Sequence, residues 1–154
     1  CYYDQATHPM LIIGPVKVEE VHLHPYVVVF HDVLFDNEII QMINATKHEL
    51  HRSQVVGSSY GEALVGEYRV SQNAGIDRTH HPFLGKVDKR IEIITGLSTI
   101  SSEGHQIVNY GIGGHYEPHL DFSSKYGDTP LDNWDKDGNR IATLVFYVSC
   151  INLF

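Results

Sequence analysis

His119 and Asp121, two positions apart in Tyr116-Glu117-Pro118-His119-Leu120-Asp121, are the pair in this chain best suited to chemistry. On an extended strand, residues i and i+2 project from the same face, about 7 Å apart along the chain. An imidazole and a carboxylate so placed can lean together onto one ion. With a distant third His they would form the 2-His-1-carboxylate triad, which holds Fe(II) and leaves positions open for oxygen and a co-substrate. Pro118 has no N–H to give a ladder, which suits a strand end or edge. The three-residue pattern is short and recurs by chance, its ordinary reading being a surface His beside a solvated Asp.

Two other constellations are weaker. His115 and His119 are four apart, a spacing that chelates zinc on a helix, but Gly113, Gly114 and Pro118 argue against a helix there. Asn133-Trp134-Asp135-Lys136-Asp137-Gly138 partly imitates a calcium loop. It has Asn for the first ligand Asp, Leu144 where the closing Glu belongs, and an expected strand in place of the exit helix. Residues 123–139 therefore read as an acidic loop bordering a site. Most of the eleven His read as surface residues.

The elements that must position the His-x-Asp pair follow from hydrophobic patterning. Tyr26 to His31 reads as a buried strand entered at Pro25. Asp36, Asn37 and Glu38 make an acidic start, and Ile39, Ile40, Ile43 and Leu50 follow at roughly helical spacing, predicting a helix over 37–49. Strands are expected at 54–56 and 67–71. Leu84, Val87, Ile91 and Ile94 share one face of a second helix, with Pro82 in its first turn and Gly96 as its stop. Beyond Gly96 the pattern turns to strands at 106–110, 115–122 and, most strongly, 140–149. Helices first and hairpins after suggest helices packed against one side of an antiparallel sheet.

Composition sets bounds. The 154 residues suit about one domain. A formal net charge of −8 argues against a nucleic-acid partner, whose phosphates require a basic footprint. No apolar run approaches the roughly 18 residues of a membrane span. Cys1 and Cys150 lie at opposite ends and are open to pairing with each other, pairing elsewhere or staying free. The opening Cys1-Tyr2-Tyr3-Asp4, without signal-peptide character, suggests a piece of a longer chain. Asn44-Ala45-Thr46 fits a glycosylation acceptor but falls in the expected helix.

From Cys1 to about Ser149 the sequence resembles the collagen prolyl 4-hydroxylase α subunits. The blocks that carry the resemblance are Phe30-His31-Asp32, Tyr68-Arg69-Val70-Ser71, Asn109-Tyr110-Gly111 through Tyr116-Glu117-Pro118-His119-Leu120-Asp121-Phe122, and Gly138-Asn139-Arg140-Ile141-Ala142-Thr143. It implies an α+β catalytic domain in which helices pack on an antiparallel double-stranded β-helix (jelly roll), incomplete at the C-terminus. A helical and strand support region would occupy about 1–100, and the first jelly-roll strands about 104–149.

The same resemblance implies His119 and Asp121 as iron ligands and Tyr110 as a contact to 2-oxoglutarate. Tyr116 and Arg140 would line the groove for a proline-containing peptide, and Arg69, Ser71 and Glu103 would belong to a substrate-covering loop and its contacts. The implied reaction couples oxidative decarboxylation of 2-oxoglutarate to hydroxylation of proline C4 in X-Pro-Gly repeats, with Fe(II) as the metal and L-ascorbate rescuing oxidised iron. The implied setting is the endoplasmic reticulum lumen, with procollagen as substrate, the protein disulfide isomerase β subunit as partner, and Cys1 bonded to an upstream Cys.

Family members continue past the 140–149 strand with further strands, a distal His ligand and a Lys for the far carboxylate of 2-oxoglutarate. Cys150-Ile151-Asn152-Leu153-Phe154 offers no match to either. On that reading, residues 1–154 alone bind iron poorly, turn over little and tend to aggregate. The competing expectation is a non-catalytic protein that binds a proline-rich peptide or partner chain through a dead hydroxylase fold.

Overall fold

The computed structural model describes residues 1–4, 8–56, 63–64, 66–122 and 138–148. The chain forms two compact units, Cys1–Asn44 with Ile76–Gly104, and Ala45–Gly75 with His105–Phe154. It is an α+β arrangement in which every strand pairing with a defined register is antiparallel.

The first unit begins with a three-stranded sheet, β1 (Tyr2–Asp4), β2 (Val16–Leu23) and β3 (Tyr26–Phe30), in that order. Val18, buried on the central strand, pairs with Tyr2 on one side and Phe30 on the other. The expected strand at 26–31 is present, but it is not a buried one. Tyr26, Val27 and Val29 are exposed, because β3 lies at the sheet edge and its β-branched residues reflect pleat preference more than core position.

Helix α1 (Pro9–Ile13) lies against α3 (Phe83–Thr95), where Leu84, Val87, Ile91 and Ile94 are all buried as their spacing predicts. Gly96 ends α3 at φ 71°, a left-handed cap whose N–H donates to the Glu92 carbonyl. Pro82 sits one position earlier than expected, as the N-cap. Helix α2 (Asp36–Thr46) begins with half of a capping box, the Phe35 N–H donating to the Glu38 carboxylate at 3.0 Å. It ends at Thr46 rather than at Glu49. Ile40, counted in the apolar stripe, is exposed, and the buried row is Glu38, Met42 and Thr46.

Glu38 is buried because Arg90 of α3 reaches it with two hydrogen bonds, at 2.8 and 3.0 Å. The same guanidinium donates to the Val33 carbonyl at 2.8 Å and lies 4.4 Å over the Phe35 ring. One cation thus ties the α2 entry loop to α3.

The second unit contains a sheet in the order β4 (His51–Arg52), β8 (Gln72–Ile76), β9 (His105–Asn109), with two small ladders. These are β5 (Val55–Val56) with β6 (Ala63–Leu64), and β7 (Arg69–Val70) with β10 (His115–Tyr116). The strands expected at 54–56 and 67–71 are present but short.

Two expectations in this unit are corrected. The return strand at 115–122 is two residues long, after which Pro118, unable to donate, precedes bends at 121–122. The segment 140–148, expected as the strongest strand, forms no ladder. Ile141, Val145 and Tyr147 are 86%, 67% and 98% exposed. Its β-branched and aromatic residues favour a strand only where a neighbouring strand supplies the other half of the hydrogen bonds. The acidic loop at 123–139, and the calcium-like run in it, lie almost wholly outside the described residues, as do Ser149 and Cys150.

Candidate metal centre

His119 and Asp121 do come together, by a different local geometry from the strand first expected. They follow β10 on a bent segment, with His119 Nε2 3.2 Å from Asp121 Oδ1. The His119 Nδ1–H donates to the Glu117 carbonyl at 2.8 Å, so a ring that coordinates a cation would do so through Nε2, the nitrogen beside the carboxylate. Two lone-pair-bearing atoms facing each other are a donor set for a cation. Ligand bonds of about 2.1 Å at right angles would separate two donors by about 3 Å, and the observed pair matches that edge. Imidazole with carboxylate also suits Fe(II) in chemical type. The residues present therefore fit the metal. Among the described residues no third His, Cys, Asp or Glu joins them in a cluster.

The bend is held from below by β7. Glu117 N–H donates to the Tyr68 carbonyl at 3.0 Å, extending the β7–β10 ladder by one bond. That ladder needs Gly114: a Cβ there would lie 2.8 Å from the Val70 oxygen and 2.9 Å from the Gly111 oxygen. Gly114→Ala is accordingly expected to push β10 off β7, costing about 2 kcal/mol. Metal affinity should fall with it, because Glu117 and His119 follow directly on the displaced strand. Urea unfolding paired with a metal titration checks both.

Tyr116 sits at the centre of a stack. One contact is the His119 ring, at 3.7 Å between centroids and 21° from parallel. Tyr68 meets it edge-on at 5.6 Å, and the Arg69 guanidinium lies 4.8 Å from its centroid. Arg69 is itself anchored by the Gln106 side chain at 3.0 Å and the Gln54 carbonyl at 3.4 Å. Such contacts are worth about 1 kcal/mol each, enough to limit how the His119 ring can turn.

From the other side comes 138–148. Arg140 donates to the Asp121 backbone carbonyl at 3.2 Å, and Thr143 donates its hydroxyl to Asp121 Oδ2 at 2.6 Å.

The remaining expected site residues are Ser71, Tyr110 and Glu103. Ser71 is buried, its hydroxyl donating to Ser53 at 2.8 Å, where β4 and β8 flank it. Tyr110 follows β9 and is 47% exposed. Glu103 belongs to the first unit. Tyr68, Gly114 and Thr143 had no individual role in the sequence reading. All three lie in or between the blocks that carry the resemblance, but only pairing across segments reveals what they touch.

No protein-family model matches the chain. Curated relatives do. Prolyl 4-hydroxylase subunit alpha-2 of Gallus gallus is 38% identical over 148 residues, 96% of this chain and 27% of the relative. Subunit alpha-3 of Bos taurus is 39% identical over 153 residues, 98% of this chain and 27% of the relative. Subunit alpha-1 of Caenorhabditis elegans is 38% identical over 149 residues, 97% of this chain and 26% of the relative. The chain thus spans about a quarter of the length of the relatives it matches.

Proposed function

We propose, on the premise that this chain is a relative of the prolyl 4-hydroxylase α subunits over nearly all its length, that it supplies part of a 2-oxoglutarate- and Fe(II)-dependent dioxygenase domain. That domain would hydroxylate proline in X-Pro-Gly peptides. The observation that carries the reading is the approach of His119 Nε2 to Asp121 Oδ1, with Nδ1 committed to a carbonyl, inside a block matched to those relatives. In the whole domain, residues 1–154 would contribute the support region and the first strands of a jelly roll.

Iron bound there would supply the oxidising chemistry, with 2-oxoglutarate as co-substrate and ascorbate as reductant. The residues of this chain hold and orient. His119 and Asp121 would present neighbouring lone pairs to the metal, and Tyr116, itself met edge-on by Tyr68, covers one face of the imidazole. Tyr110 would hydrogen-bond the co-substrate, and Tyr116, Arg140, Arg69, Ser71 and Glu103 would guide the peptide. Arg140 at the Asp121 carbonyl and Arg69 over Tyr116 would do so from the edge of the metal centre. Procollagen as substrate, the protein disulfide isomerase β subunit as partner and the endoplasmic reticulum lumen as compartment extend the same reading. Among the described residues, no helix is long and apolar enough to cross a membrane.

The test is Fe(II)-dependent conversion of 2-oxoglutarate to succinate in the presence of a (Pro-Pro-Gly) peptide. Turnover that requires both the metal and the peptide supports the proposal, and its absence in a folded protein counts against it. The second reading is a peptide- or partner-binding role without catalysis. Peptide binding that persists without metal, with no succinate formed, would select it.

A further inference from the structure

Resting on the iron-binding reading, we propose that Thr143 is a positioning residue for the carboxylate ligand. Its hydroxyl occupies Asp121 Oδ2, so that Oδ1 alone is offered beside His119. The donor lies 22 positions along the chain from the acceptor, so nothing local to the bend forces the contact.

The argument is geometric. A free carboxylate rotates about its last bond and presents either oxygen, or both. Here the 2.6 Å Thr143 bond is in the short range typical of a hydroxyl donating to a charged oxygen. Thr is β-branched, which restricts rotation about its first side-chain bond and keeps the hydroxyl aimed. Arg140 reinforces the placement by holding the Asp121 backbone carbonyl at 3.2 Å, from three residues earlier on the same segment. Arg140 Nη1 also comes within 4.0 Å of Oδ1, but at that range it acts through charge more than as a directed donor. The segment 138–148, which joins no sheet, thus does for Asp121 what the Glu117 carbonyl does for His119. Each ligand has its second polar atom fixed, so the two metal-facing atoms stay 3.2 Å apart.

Outer partners of this kind typically contribute 10- to 100-fold in metal affinity. Thr143→Val removes the hydroxyl at constant shape and should weaken binding of Co(II), used alone as the probe, by that factor. The visible absorption of the bound Co(II) should change as Asp121 begins to coordinate through both oxygens. Thr143→Ser keeps the hydroxyl and should bind within about threefold of the unsubstituted protein, restoring its spectrum. Thr143 is exposed, so the side chain fills no core space, and Thr143→Ala gives the same comparison should the valine variant misfold. Equal affinity and an unchanged spectrum in the valine and alanine variants overturn the assignment. So does a serine variant as weak as the valine one. If the unsubstituted protein binds neither Co(II) nor Fe(II), the iron-binding reading itself fails, a result distinct from a variant that matches its parent.

Discussion

Asp121→Asn should lower Fe(II)-dependent succinate formation by about 10³-fold or more, equivalent to about 4 kcal/mol. The pair at the bend offers a metal one ring nitrogen and one carboxylate oxygen, and the carboxylate would carry most of the attraction for a hard divalent cation. An amide at 121 keeps the shape but removes the charge. It can also turn its NH2 toward His119 Nε2 and close the 3.2 Å gap with a hydrogen bond, taking the lone pair a metal would use. His119→Gln should have a similar effect, since the ring that stacks on Tyr116 and donates to Glu117 would be lost with the ligand.

Neither change should unfold the protein, because the two side chains are 30% and 36% exposed and belong to no core. Far-UV circular dichroism should stay unchanged while metal binding falls. Glu117→Gln is the control. That carboxylate is 52% exposed and faces His115 at 3.6 Å, and it is the backbone carbonyl of residue 117 that His119 uses. Metal affinity should therefore survive the substitution. An Asp121→Asn protein that retains both the metal and the turnover would remove the basis for the iron reading.

What could be read in advance divides along a physical line. Helix α3 was legible because its four core residues, its Pro start and its Gly stop all agree, and each signal is local. The identity of His119 and Asp121 as partners was legible from type and spacing, and the blocks around them place the chain beside its relatives. Their geometry was not. An i, i+2 strand face was expected, whereas Pro118 ends the ladder and the two side chains converge on a bend instead.

Segment 140–148 shows the opposite failure: its composition is the most strand-like in the chain, yet strand formation belongs to a pair of segments and cannot be read from one. The two-residue ladders β5–β6 and β7–β10 have the same origin, since tertiary contacts decide them more than propensity. Thr143 stood in a recognised block, but a hydroxyl that reaches a carboxylate across the chain leaves no periodic trace. Buried charge was also hidden. Glu38 looked like a helix-start acid suited to the α2 dipole, and its pairing with Arg90, 52 positions later, appears only in three dimensions.

Arg90→Met should destabilise the first unit by about 3 kcal/mol, the largest stability effect we expect from a single substitution here. The methionine fills similar space and keeps apolar contact with Phe35, so the loss isolates the charge and its hydrogen bonds. Glu38, 7% exposed at its side chain, would keep only the Phe35 N–H as partner and would have to protonate or draw in water. The Val33 carbonyl would lose its donor as well.

The pH dependence gives an independent check. Burial raises the Glu38 pKa, but the Arg90 hydrogen bonds, the Phe35 N–H and the charges of Arg90 and Lys86 outweigh it, and the group ends below its ordinary value of 4.5. A carboxyl depressed in the folded state stabilises fully above its unfolded pKa, and that contribution is lost as pH falls through the folded value. The parent should therefore lose stability progressively below about pH 4.5 from this group. Arg90→Met should lack that acid-limb component and flatten the curve there, while lying lower at neutral pH. Glu38→Gln combined with Arg90→Met should recover part of the deficit, because it leaves no buried charge unpaired. Urea unfolding of the three proteins from pH 3 to pH 7 distinguishes this from a packing effect, which would lower both variant curves equally at every pH.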